Sequence, residues 1–566
     1  MERDTEREMQ PTSMTTPLVG HDPDVFDRHT AAGWFSDRTL ADRVAEHAAR
    51  RPSDLAYISE LESITWAQYD ARSTSLAATL VAEGLEPGTR VAVLLPDGPA
   101  VHTAYLAAEK AGLVVVGIGP RAGAKEIDHL IGRTGARALV SHRRHGDTPS
   151  ADLVASLRAA GHALDRHLVV PDDGALAADG TADYPVEVDG RVVTTPPRDA
   201  VEALPGRALG PNDLFLLNST SGTTGMPKCV MQFQNRWYYF HQVAAEAGRL
   251  GPDDVFMSLV SAPFGFGLWT AHFTPTILGA PCVVMSRYST EGALDLIERH
   301  GVTVLACVST QFIMMLNSPQ LDRRDLSALR AMFTGGEAVP YERAADFEER
   351  TGAAVLQFFG SNETGALSRT SVTDTREQRL GTAGRIIDEM EVRLLDDDGG
   401  DVTATGGPGQ PACRGPATCL GYLDDPEANA KLFTPDGWML TGDLATIDED
   451  GYLRVVGRKS DVIIRGGKNI SAAQVEAEVG THPSVAMVAA VAKPDDVFGE
   501  RVCVFVVPRP GTTVELDDLV AHLTDRGLSR ELFPEDLVLL DEMPQASGGK
   551  IAKGALRDLL AARSPA

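Results

Sequence analysis

The sequence predicts an α/β fold of mixed α+β character, in which a large N-terminal domain of β-sheets covered by helices precedes a small C-terminal α/β domain. Three observations support this expectation. A chain of 566 residues is too long for one compact core, so at least two domains are expected. Short apolar runs such as 90–96 and 113–119 flank helix-patterned residues 100–112, which is the alternation of a helix-covered sheet. A fresh β-α-β pattern begins after residue 461.

The domain boundaries are predicted from composition along the chain. Residues 1–30 carry charges of both signs without an apolar core, and we expect them to be disordered. A large domain is predicted over 31–457, with an irregular excursion at 171–212 where Asp, Gly, Ala and Pro are frequent. The polar cluster 458–461 marks its end, and the small domain is predicted over 462–566.

Composition argues against several classes of function. Lys and Arg number 52 against 79 Asp and Glu, and this net charge of −27 disfavours a general nucleic-acid or anionic-membrane surface. No apolar stretch approaches the ~18 residues of a membrane span, and the N-terminus has no signal-peptide core. The six cysteines lack C-x-x-C spacing and lie mostly in apolar runs, so buried free thiols are expected. These features predict a cytoplasmic protein without a membrane span.

A loop of small hydroxyl residues and glycines, LNSTSGTTGMPKCV at 217–230, is the first candidate binding site. Glycines allow backbone N–H groups to approach an anion, and Ser, Thr and Lys supply further donors, which together favour a polyphosphate. From Gly222 the loop reads G-x-x-G-x-x-K, which differs from the G-x-x-x-x-G-K-[ST] spacing of the P-loop. A surface turn of the same composition is the alternative, so other motifs must decide.

Five further motifs follow the glycine loop, and they are GGEAVP at 335–340, FFGSNETG at 358–365, LTGDLATIDEDGYLRVVGRKSD at 440–461, RGGKNI at 465–470 and PQASGGKI at 544–551. Together these six resemble the core motifs of the adenylate-forming superfamily of acyl-CoA synthetases, peptide-synthetase adenylation domains and luciferases. The resemblance covers roughly residues 35 to 560 and is strongest to aromatic-acid CoA ligases. It implies that ATP converts a carboxylic acid to an acyl-adenylate with loss of pyrophosphate, after which a thiol displaces AMP.

The resemblance also implies a nucleotide site. The residues expected there are Thr220, Ser221, Gly222, Thr223, Thr224, Gly225, Lys228, Gly336, Glu337, Ala338, Phe358, Phe359, Gly360, Asn362, Asp443 and Arg458. The glycine loop would hold the β and γ phosphates, and Asp443, with Arg458 beside it, would accept hydrogen bonds from both ribose hydroxyls. In the family's Y-G-x-T-E motif this chain has Phe359 for Tyr beside adenine and Asn362 for Thr near the α-phosphate. Both substitutes retain stacking or hydrogen bonding.

Two residues are implied to be catalytic. Glu363 would be the Mg²⁺ ligand, and Lys550 would bridge the substrate carboxylate and the α-phosphate. In the family the small domain is a mobile lid that rotates for the second half-reaction, with residues 458–461 as its hinge. Ser460 occupies the hinge position, where relatives more often have Asp or Lys. The glycines of RGGKNI, Gly466 and Gly467, would then line a tunnel for the pantetheine thiol. The implied cofactors are ATP, Mg²⁺, and CoA or a carrier-protein phosphopantetheine.

The acyl pocket is predicted around Phe264, Gly265, Phe266 and Gly267. Amino-acid-activating relatives place an Asp where this chain has Gly265, and a buried ammonium without that counter-charge would cost several kcal/mol. An α-amino acid is therefore disfavoured. The Phe-Gly-Phe-Gly pattern favours an aromatic acid over a medium-chain or alicyclic one, and the alternative for each phenylalanine is ordinary core packing. Four more polar and aromatic residues are predicted to share one helix whose face could reach the pocket, and they are Trp237, Tyr238, Tyr239 and His241.

Three functions remain open at this point. The leading one is an ATP-dependent acid–CoA ligase acting on a small carboxylic acid. The second is a stand-alone adenylating enzyme whose acceptor is an acyl carrier protein or another nucleophile such as an amine. The third is a nonenzymatic nucleotide-binding relative, which the intact Lys228, Glu363, Asp443, Arg458 and Lys550 disfavour. No nucleic-acid partner is expected.

Overall fold

A computed structural model describes residues 23–176, 184–219, 226–336, 339–466, 468–495, 497–546 and 550–563. Mixed sheets covered by helices form a large N-terminal part, and a separate small sheet with helices forms the C-terminal part, as predicted. Across these ranges no helix is both long and apolar enough to cross a membrane.

Helices and strands alternate through most of the described chain. The helices α1 to α18 are Pro23–Ala31, Leu40–Arg50, Trp66–Ala82, Pro99–Ala111, Ala124–Thr134, Ser150–Ala159, Arg198–Ala203, Gln234–Gly248, Gly265–Gly267, Thr274–Leu278, Thr290–His300, Ser309–Asn317, Tyr341–Thr351, Arg376–Gly381, Pro426–Leu432, Ala472–Val479, Leu516–Asp525 and Lys553–Arg563.

The strands of the large domain are numbered β1 to β24 and those of the small domain β25 to β29. The former are Leu55–Ile58, Ser63–Thr65, Arg90–Leu94, Val114–Gly117, Ala138–Ser141, Arg144–His145, Thr148–Pro149, Arg166–Val169, Val186–Val188, Arg191–Val193, Leu214–Ser219, Cys229–Phe233, Phe256–Ser258, Cys282–Val284, Val304–Ala306, Ala331–Gly335, Ala354–Ser361, Gly365–Arg369, Arg385–Ile386, Glu391–Leu395, Gln410–Arg414, Met439–Leu440, Asp443–Ile447 and Leu453–Arg458. The latter are Val462–Arg465, Lys468–Ser471, Val485–Asp495, Gly499–Pro508 and Asp536–Leu539.

The first large sheet has eight strands in the order β10-β9-β8-β5-β3-β4-β11-β12. Its centre, from β8 to β11, is parallel, and β4 is buried along its whole length, as a sheet covered on both faces requires. Helix α4 is likewise buried on every side. Pro99 opens this helix and the left-handed Gly112 ends it, so its limits are set by local sequence.

The second large sheet has nine strands in the order β19-β18-β17-β16-β15-β13-β14-β1-β2. Strands β13 and β15 to β17 are parallel to one another, so the loops at their carboxyl ends emerge along one edge. One apolar core includes Leu216 of β11 and Phe333 of β16. This shared core holds the two sheets together and fixes the loops of both at the same place.

The small domain is built on the sheet β26-β25-β28-β27, with β29 beside β28. Val475 of α16 and Leu519 of α17 pack in one of its cores, and Leu556 of α18 packs in the other. Ser471 caps α16 by accepting a hydrogen bond from the backbone of Gln474. A short turn, Lys459–Asp461, connects the hairpin β23–β24 to this domain.

Two expectations are wrong in part. Residues 23–30, predicted to be disordered, form most of α1, because the ring of Phe26 packs 5.6 Å from Phe35 and 5.2 Å from Phe233. Residues 1–22 lie outside the described ranges. The excursion 171–212, predicted to be irregular, contains the hairpin β9–β10 and helix α7. The two strands of this hairpin have only three residues each, which is too short for hydrophobic periodicity to reveal them.

Replacement of Phe26 tests the packing of α1. Phe26→Ala is expected to lower the free energy of unfolding of the large domain by about 1–2 kcal/mol, since a partly buried ring loses less than a fully buried one. Thermal unfolding measures the change, with Val192→Ala as the control because Val192 is 58% exposed. An unchanged unfolding temperature for Phe26→Ala would contradict the packing of α1.

Candidate active site

The candidate active site lies where the loop edges of the two large sheets face the small domain. Strand β16 leads to Gly336 and strand β17 leads to the turn 361–365. The hairpin β23–β24 contributes Asp443 and Arg458, and the small domain contributes Lys550. Residues from four separate motifs are therefore brought to one place.

Lys550 reaches from the small domain to the large one. Its Nζ donates a hydrogen bond to the Gly336 carbonyl oxygen at 2.8 Å. Gly336 has a left-handed φ of +83°, which favours glycine, and a Cβ there would displace the lysine amine. The segment before Lys550 is anchored by Arg121, whose Nη1 donates to Gln545 Oε1 at 3.3 Å. The small domain thus lies where this amine reaches the edge of the large sheet.

Asp443 and Arg458 are paired across the hairpin β23–β24. The Arg458 Nε lies 3.2 Å from Asp443 Oδ1. Burial raises the pKa of Asp443, and the positive charges of Arg458 and Lys550 oppose that rise. Both positive charges therefore favour the ionised form of this carboxylate. An acceptor-only group between two cations is suited to hold a sugar diol beside a phosphate.

The side chain of Asn362 is hydrogen-bonded to residues 264–267, which are called the acyl segment because the acyl pocket is predicted around them. Its Oδ1 accepts hydrogen bonds from the backbone N–H of Gly265 at 2.9 Å and from Asn218 Nδ2 at 3.3 Å. The predicted position of this side chain near the α-phosphate stays a prediction, and the structure adds that its oxygen already has two partners within the protein. Its oxygen is engaged within the protein, which leaves the Nδ2 amide as the group available to donate to a phosphate.

Glu363 is held by a residue that sequence analysis missed. The Tyr422 hydroxyl donates to Glu363 Oε1 at 2.7 Å, and Lys228 Nζ lies 4.8 Å from the centre of the Tyr422 ring. Burial and the neighbouring Glu363 carboxylate raise the pKa of Tyr422, so the phenol stays protonated as a donor. No local pattern indicated Tyr422, because a bridge to Val230 brings its segment beside β12 only in the folded chain.

Glu363 is the predicted metal ligand. Within the part of the chain that the structure describes, no group of three or more His, Cys, Asp or Glu side chains could hold a metal ion. A Mg²⁺ ion at Glu363 would therefore take its other oxygen ligands from phosphates and water, as Mg²⁺ commonly does. The residues present fit this ion together with a nucleotide.

Phe358 and Phe359 project to opposite faces of β17. The ring of Phe358 lies 5.6 Å from that of Phe333 and 5.6 Å from that of Trp269, within a cluster of aromatic rings. Phe359 also packs against the main core, and in addition it packs against a small cluster that contains Ala445 of β23. Through Ala445, Phe359 lies against the hairpin β23–β24, which also carries Asp443, the residue predicted to bind ribose. Gly360 lies at the bulge that follows, where a Cβ would overlap the backbone of the facing strand.

The glycines of the acyl segment are required by close packing. A Cβ at Gly265 would overlap Asn362 Oδ1 and lie 3.0 Å from the Trp237 ring. A Cβ at Gly267 would overlap backbone carbonyl oxygens of residues 260–261. These positions therefore determine the local fold of the segment as well as the room left for a substrate.

The aromatic residues around this segment have different surroundings. Phe264 is buried, whereas Phe266 is partly exposed with its ring 5.7 Å from that of Trp269. The predicted shared helix of residues 237–241 is α8, where Trp237 approaches the acyl segment. Tyr239 instead donates to Glu389 Oε2 at 3.0 Å. The face of α8 that carries Trp237 is the one that reaches the pocket.

Several predicted residues lie outside the described ranges, and they are Thr220, Ser221, Gly222, Thr223, Thr224, Gly225, Glu337, Ala338 and Gly467. Ser460 lies in the turn Lys459–Asp461 between the domains. Gly466 lies between β25 and β26, and its N–H donates to the Phe498 carbonyl oxygen at 2.8 Å. The roles of these residues in lid rotation and thiol delivery stay predictions.

Comparison with known proteins decides the family. Residues 44–423 match the model of the AMP-binding enzyme, and residues 474–550 match that of the AMP-binding enzyme C-terminal domain. The chain belongs to the AMP-binding enzyme family. The two matches fall on the large domain and on the small domain described above.

The relatives of this AMP-binding enzyme are similar over nearly their whole length. A salicylyl-CoA synthase / salicylate adenylyltransferase from a Streptomyces species is 32% identical over 541 residues, which cover 94% of this chain and 96% of that protein. A salicyl-AMP ligase / salicyl-S-ArCP synthetase from Mycobacterium tuberculosis is 31% identical over 557 residues, which cover 95% of this chain and 94% of that protein.

A solved structure shows the same fold. The anthranilate CoA ligase AuaEII in complex with anthranoyl-AMP superimposes with a TM-score of 0.81 at 23% identity, and the match covers 94% of this chain and 99% of that one. Together with the family match, these relatives identify this AMP-binding enzyme as an AMP-forming acid–thiol ligase of the acyl-CoA synthetase type. The nonenzymatic alternative is thereby set aside.

Enlarging Gly265 tests the packing of the acyl segment. Gly265→Ala is expected to lower the rate of acid-dependent ATP–pyrophosphate exchange at least about 10-fold, because its Cβ displaces the Asn362 carboxamide. Gly206→Ala is the matched control, since a Cβ at Gly206 meets no atom within 4 Å. Equal exchange rates for both variants would contradict the close contact.

Proposed function

We propose that this enzyme activates an aromatic carboxylic acid with ATP and Mg²⁺ and transfers the acyl group to CoA. The observation that carries the first step is the Lys550 amine hydrogen-bonded to the Gly336 carbonyl oxygen beside Asp443. In this proposal the small domain supplies a cation to the place where acid and nucleotide would be joined. Rotation of the small domain would bring the Lys550 ammonium group to the large domain for adenylation and remove it afterwards.

The nucleotide is proposed to lie between β17 and the hairpin β23–β24. Asp443 would accept hydrogen bonds from the ribose hydroxyls while Arg458 holds its orientation. Phe359 would contact adenine from one side and residues 336–338 would contact it from the other. Lys228 and the preceding glycine loop would contact the β and γ phosphates. When bound, Mg²⁺ would neutralise phosphate charge next to Glu363, whose carboxylate Tyr422 holds in place.

In the first half-reaction, the acid's oxygen attacks the α-phosphorus and pyrophosphate leaves. Lys550 would contact both the attacking oxygen and the α-phosphate, so that its charge is matched to the charge that develops between them. The Nδ2 of Asn362 would donate to the same phosphate, since the Oδ1 is held by Gly265 and Asn218. Binding and orientation account for most of what these residues contribute.

An aromatic acid is proposed because the acyl segment is flanked by rings and lacks a carboxylate for an ammonium group. A Cβ at Gly265 would lie 3.0 Å from the Trp237 ring, and the ring of Phe266 lies 5.7 Å from that of Trp269. Within the described residues, position 265 offers no counter-charge to an α-amino group, which disfavours amino acids. The relative named salicylyl-CoA synthase / salicylate adenylyltransferase supports an aryl acid over a medium-chain or alicyclic one.

The acceptor is proposed to be CoA, with a carrier-protein phosphopantetheine as the alternative. CoA is favoured by the salicylyl-CoA synthase relative, and the carrier protein by the salicyl-S-ArCP synthetase relative. For either thiol, residues 458–461 would be the hinge, with Ser460 absorbing the rotation, and Gly466 and Gly467 would line the tunnel. We also propose a reducing, cytoplasmic location, because all six cysteines are buried and unpaired.

Removal of the lid amine tests the first half-reaction. Lys550→Ala is expected to lower acid-dependent pyrophosphate exchange by about 100- to 1,000-fold, because charge developing at the α-phosphate loses its cation. The dissociation constant for ATP, measured by calorimetry, is expected to change less than about 3-fold. Lys125→Ala, an exposed lysine of α5, is the control. Native exchange by Lys550→Ala would refute the assignment.

A substrate panel tests the acid and the acceptor. Exchange is expected with salicylate or another benzoate, and weakly or not at all with octanoate and phenylalanine. Product analysis after adding CoA or a phosphopantetheinylated aryl carrier protein then identifies the acceptor. Preference for octanoate would overturn the aromatic proposal, and thioester formed on the carrier protein alone would select the alternative acceptor.

A further inference from the structure

A buried arginine stands behind the turn that carries Asn362 and Glu363. Arg236 is in the first turn of α8 and is only 1% exposed. Across the described chain, the four oxygens to which its guanidinium donates belong to neutral groups, namely three backbone carbonyls and the Gln232 carboxamide. A cation buried without a direct carboxylate partner is costly. Its geometry shows what this cation holds in place.

The guanidinium donates to two consecutive carbonyl groups of the turn 361–365, which is called the catalytic turn because it carries Asn362 and Glu363. Its Nη1 donates to the Asn362 carbonyl oxygen at 2.8 Å and its Nη2 to the Glu363 carbonyl oxygen at 3.4 Å. Its Nε donates to the Ala417 carbonyl oxygen at 2.8 Å, which ties in the segment leading to Tyr422. A planar fork with donors in fixed directions can satisfy three carbonyls at once, and a lysine ammonium on a flexible stem does not reproduce that geometry.

A chain of buried amides continues from Arg236 to the acyl segment. Gln232, which accepts from Arg236, donates to Asn218 Oδ1 at 2.9 Å. Asn218 in turn donates to Asn362 Oδ1, and the same oxygen receives the Gly265 N–H. Asn218 and Gln232 are fully buried. The network therefore connects the end of β11, the turn after β17 and the start of the acyl segment into one hydrogen-bonded unit.

The charge of Arg236 is retained at neutral pH. Burial lowers the pKa of Arg236 to about 10, so the guanidinium remains protonated. The guanidinium carbon Cζ of Arg236 lies 4.8 Å from the centre of the Trp237 ring, whose face attracts a cation. The hydrogen bonds to the catalytic turn and this ring contact compensate for burial of the charge.

We propose that Arg236 is a positioning residue for adenylation, which holds the peptide groups of Asn362 and Glu363 in register with Gly265. It sets the Glu363 carboxylate relative to the acyl segment, so that metal-bound phosphate and the acid meet at the correct separation. This role in placing the metal rests on the proposed function, in which Glu363 binds Mg²⁺. Gln232 and Asn218 transmit the same constraint, and neither they nor Arg236 contact the reacting atoms.

The test separates the two half-reactions in the full-length chain. Acid-dependent pyrophosphate exchange is measured against Mg²⁺ concentration, with salicylate as the first probe and, should it fail, the panel acid that the native chain activates fastest. Thioester formation is measured separately from CoA and the preformed acyl-adenylate of the same acid. The variants are Arg236→Lys and Arg236→Met. Arg330→Lys is the matched control, since Arg330 donates to the backbone at the other end of α8 through Gly248.

Both Arg236 variants are expected to lower exchange about 10- to 100-fold and to raise several-fold the Mg²⁺ concentration that gives half-maximal rate. Thioester formation from the preformed adenylate is expected to stay within about 2-fold of native, because that step no longer needs the metal. Arg330→Lys is expected to preserve the native ratio of the two rates. A purely structural role would lower both half-reactions equally, and this result would overturn the proposal, as would native exchange by Arg236→Lys.

Two further variants keep the outcome interpretable. If Arg236→Met does not fold, Arg236→Lys and Gln232→Leu decide, and both are expected to give the same selective loss, smaller for Gln232→Leu. Glu363→Gln tests the metal assignment by itself. An unchanged Mg²⁺ requirement in Glu363→Gln would refute the role of Glu363. The role of Arg236 would still be tested by the ratio of the rates of the two half-reactions in the Arg236 variants.

Discussion

The hydrogen bond from Lys550 to the Gly336 carbonyl oxygen is the contact on which the proposed adenylation site depends. It crosses between domains and is partly exposed, and a hydrogen bond to a charged group contributes only about 1.5–3 kcal/mol. Among the residues that the structure describes, polar contacts between the domains also include Arg343 donating to the Val485 carbonyl oxygen at 3.0 Å. Docking through so small a contact is compatible with the proposed function, in which the amine would be withdrawn for the second half-reaction.

The large domain, by contrast, holds its part of the site rigidly. Asn362 binds the acyl segment through Gly265, while Glu363 is fixed by Tyr422 on one side and by Arg236 on the other. Acid, phosphate and metal would therefore be positioned by a single turn. A shift of that turn would disturb all three together, and close approach of the acyl segment explains why position 265 is glycine.

Much of this organisation could be predicted because its signals are local. Alternating apolar runs are visible within a few residues and indicated the two domains, whereas the glycine loop and the Gly-Gly-Lys near the C-terminus indicated Lys550 only through the resemblance to the adenylate-forming superfamily. Contacts between distant segments carry no such signal. The pairing of Tyr422 with Glu363, and the packing of Phe26 on Phe233 that orders α1, depend on chain segments far apart in sequence.

The sequence by itself determined the fold class, the superfamily chemistry and the identities of the groups available for it. Only the tertiary structure decided how those groups are used: the Asn362 oxygen faces Gly265, and Arg236, which no motif contains, lies behind the catalytic turn. The physical reason is that residue type specifies what a side chain can donate or accept. Which partner it meets is selected by packing of the two sheets and the lid, where buried polar groups must find partners.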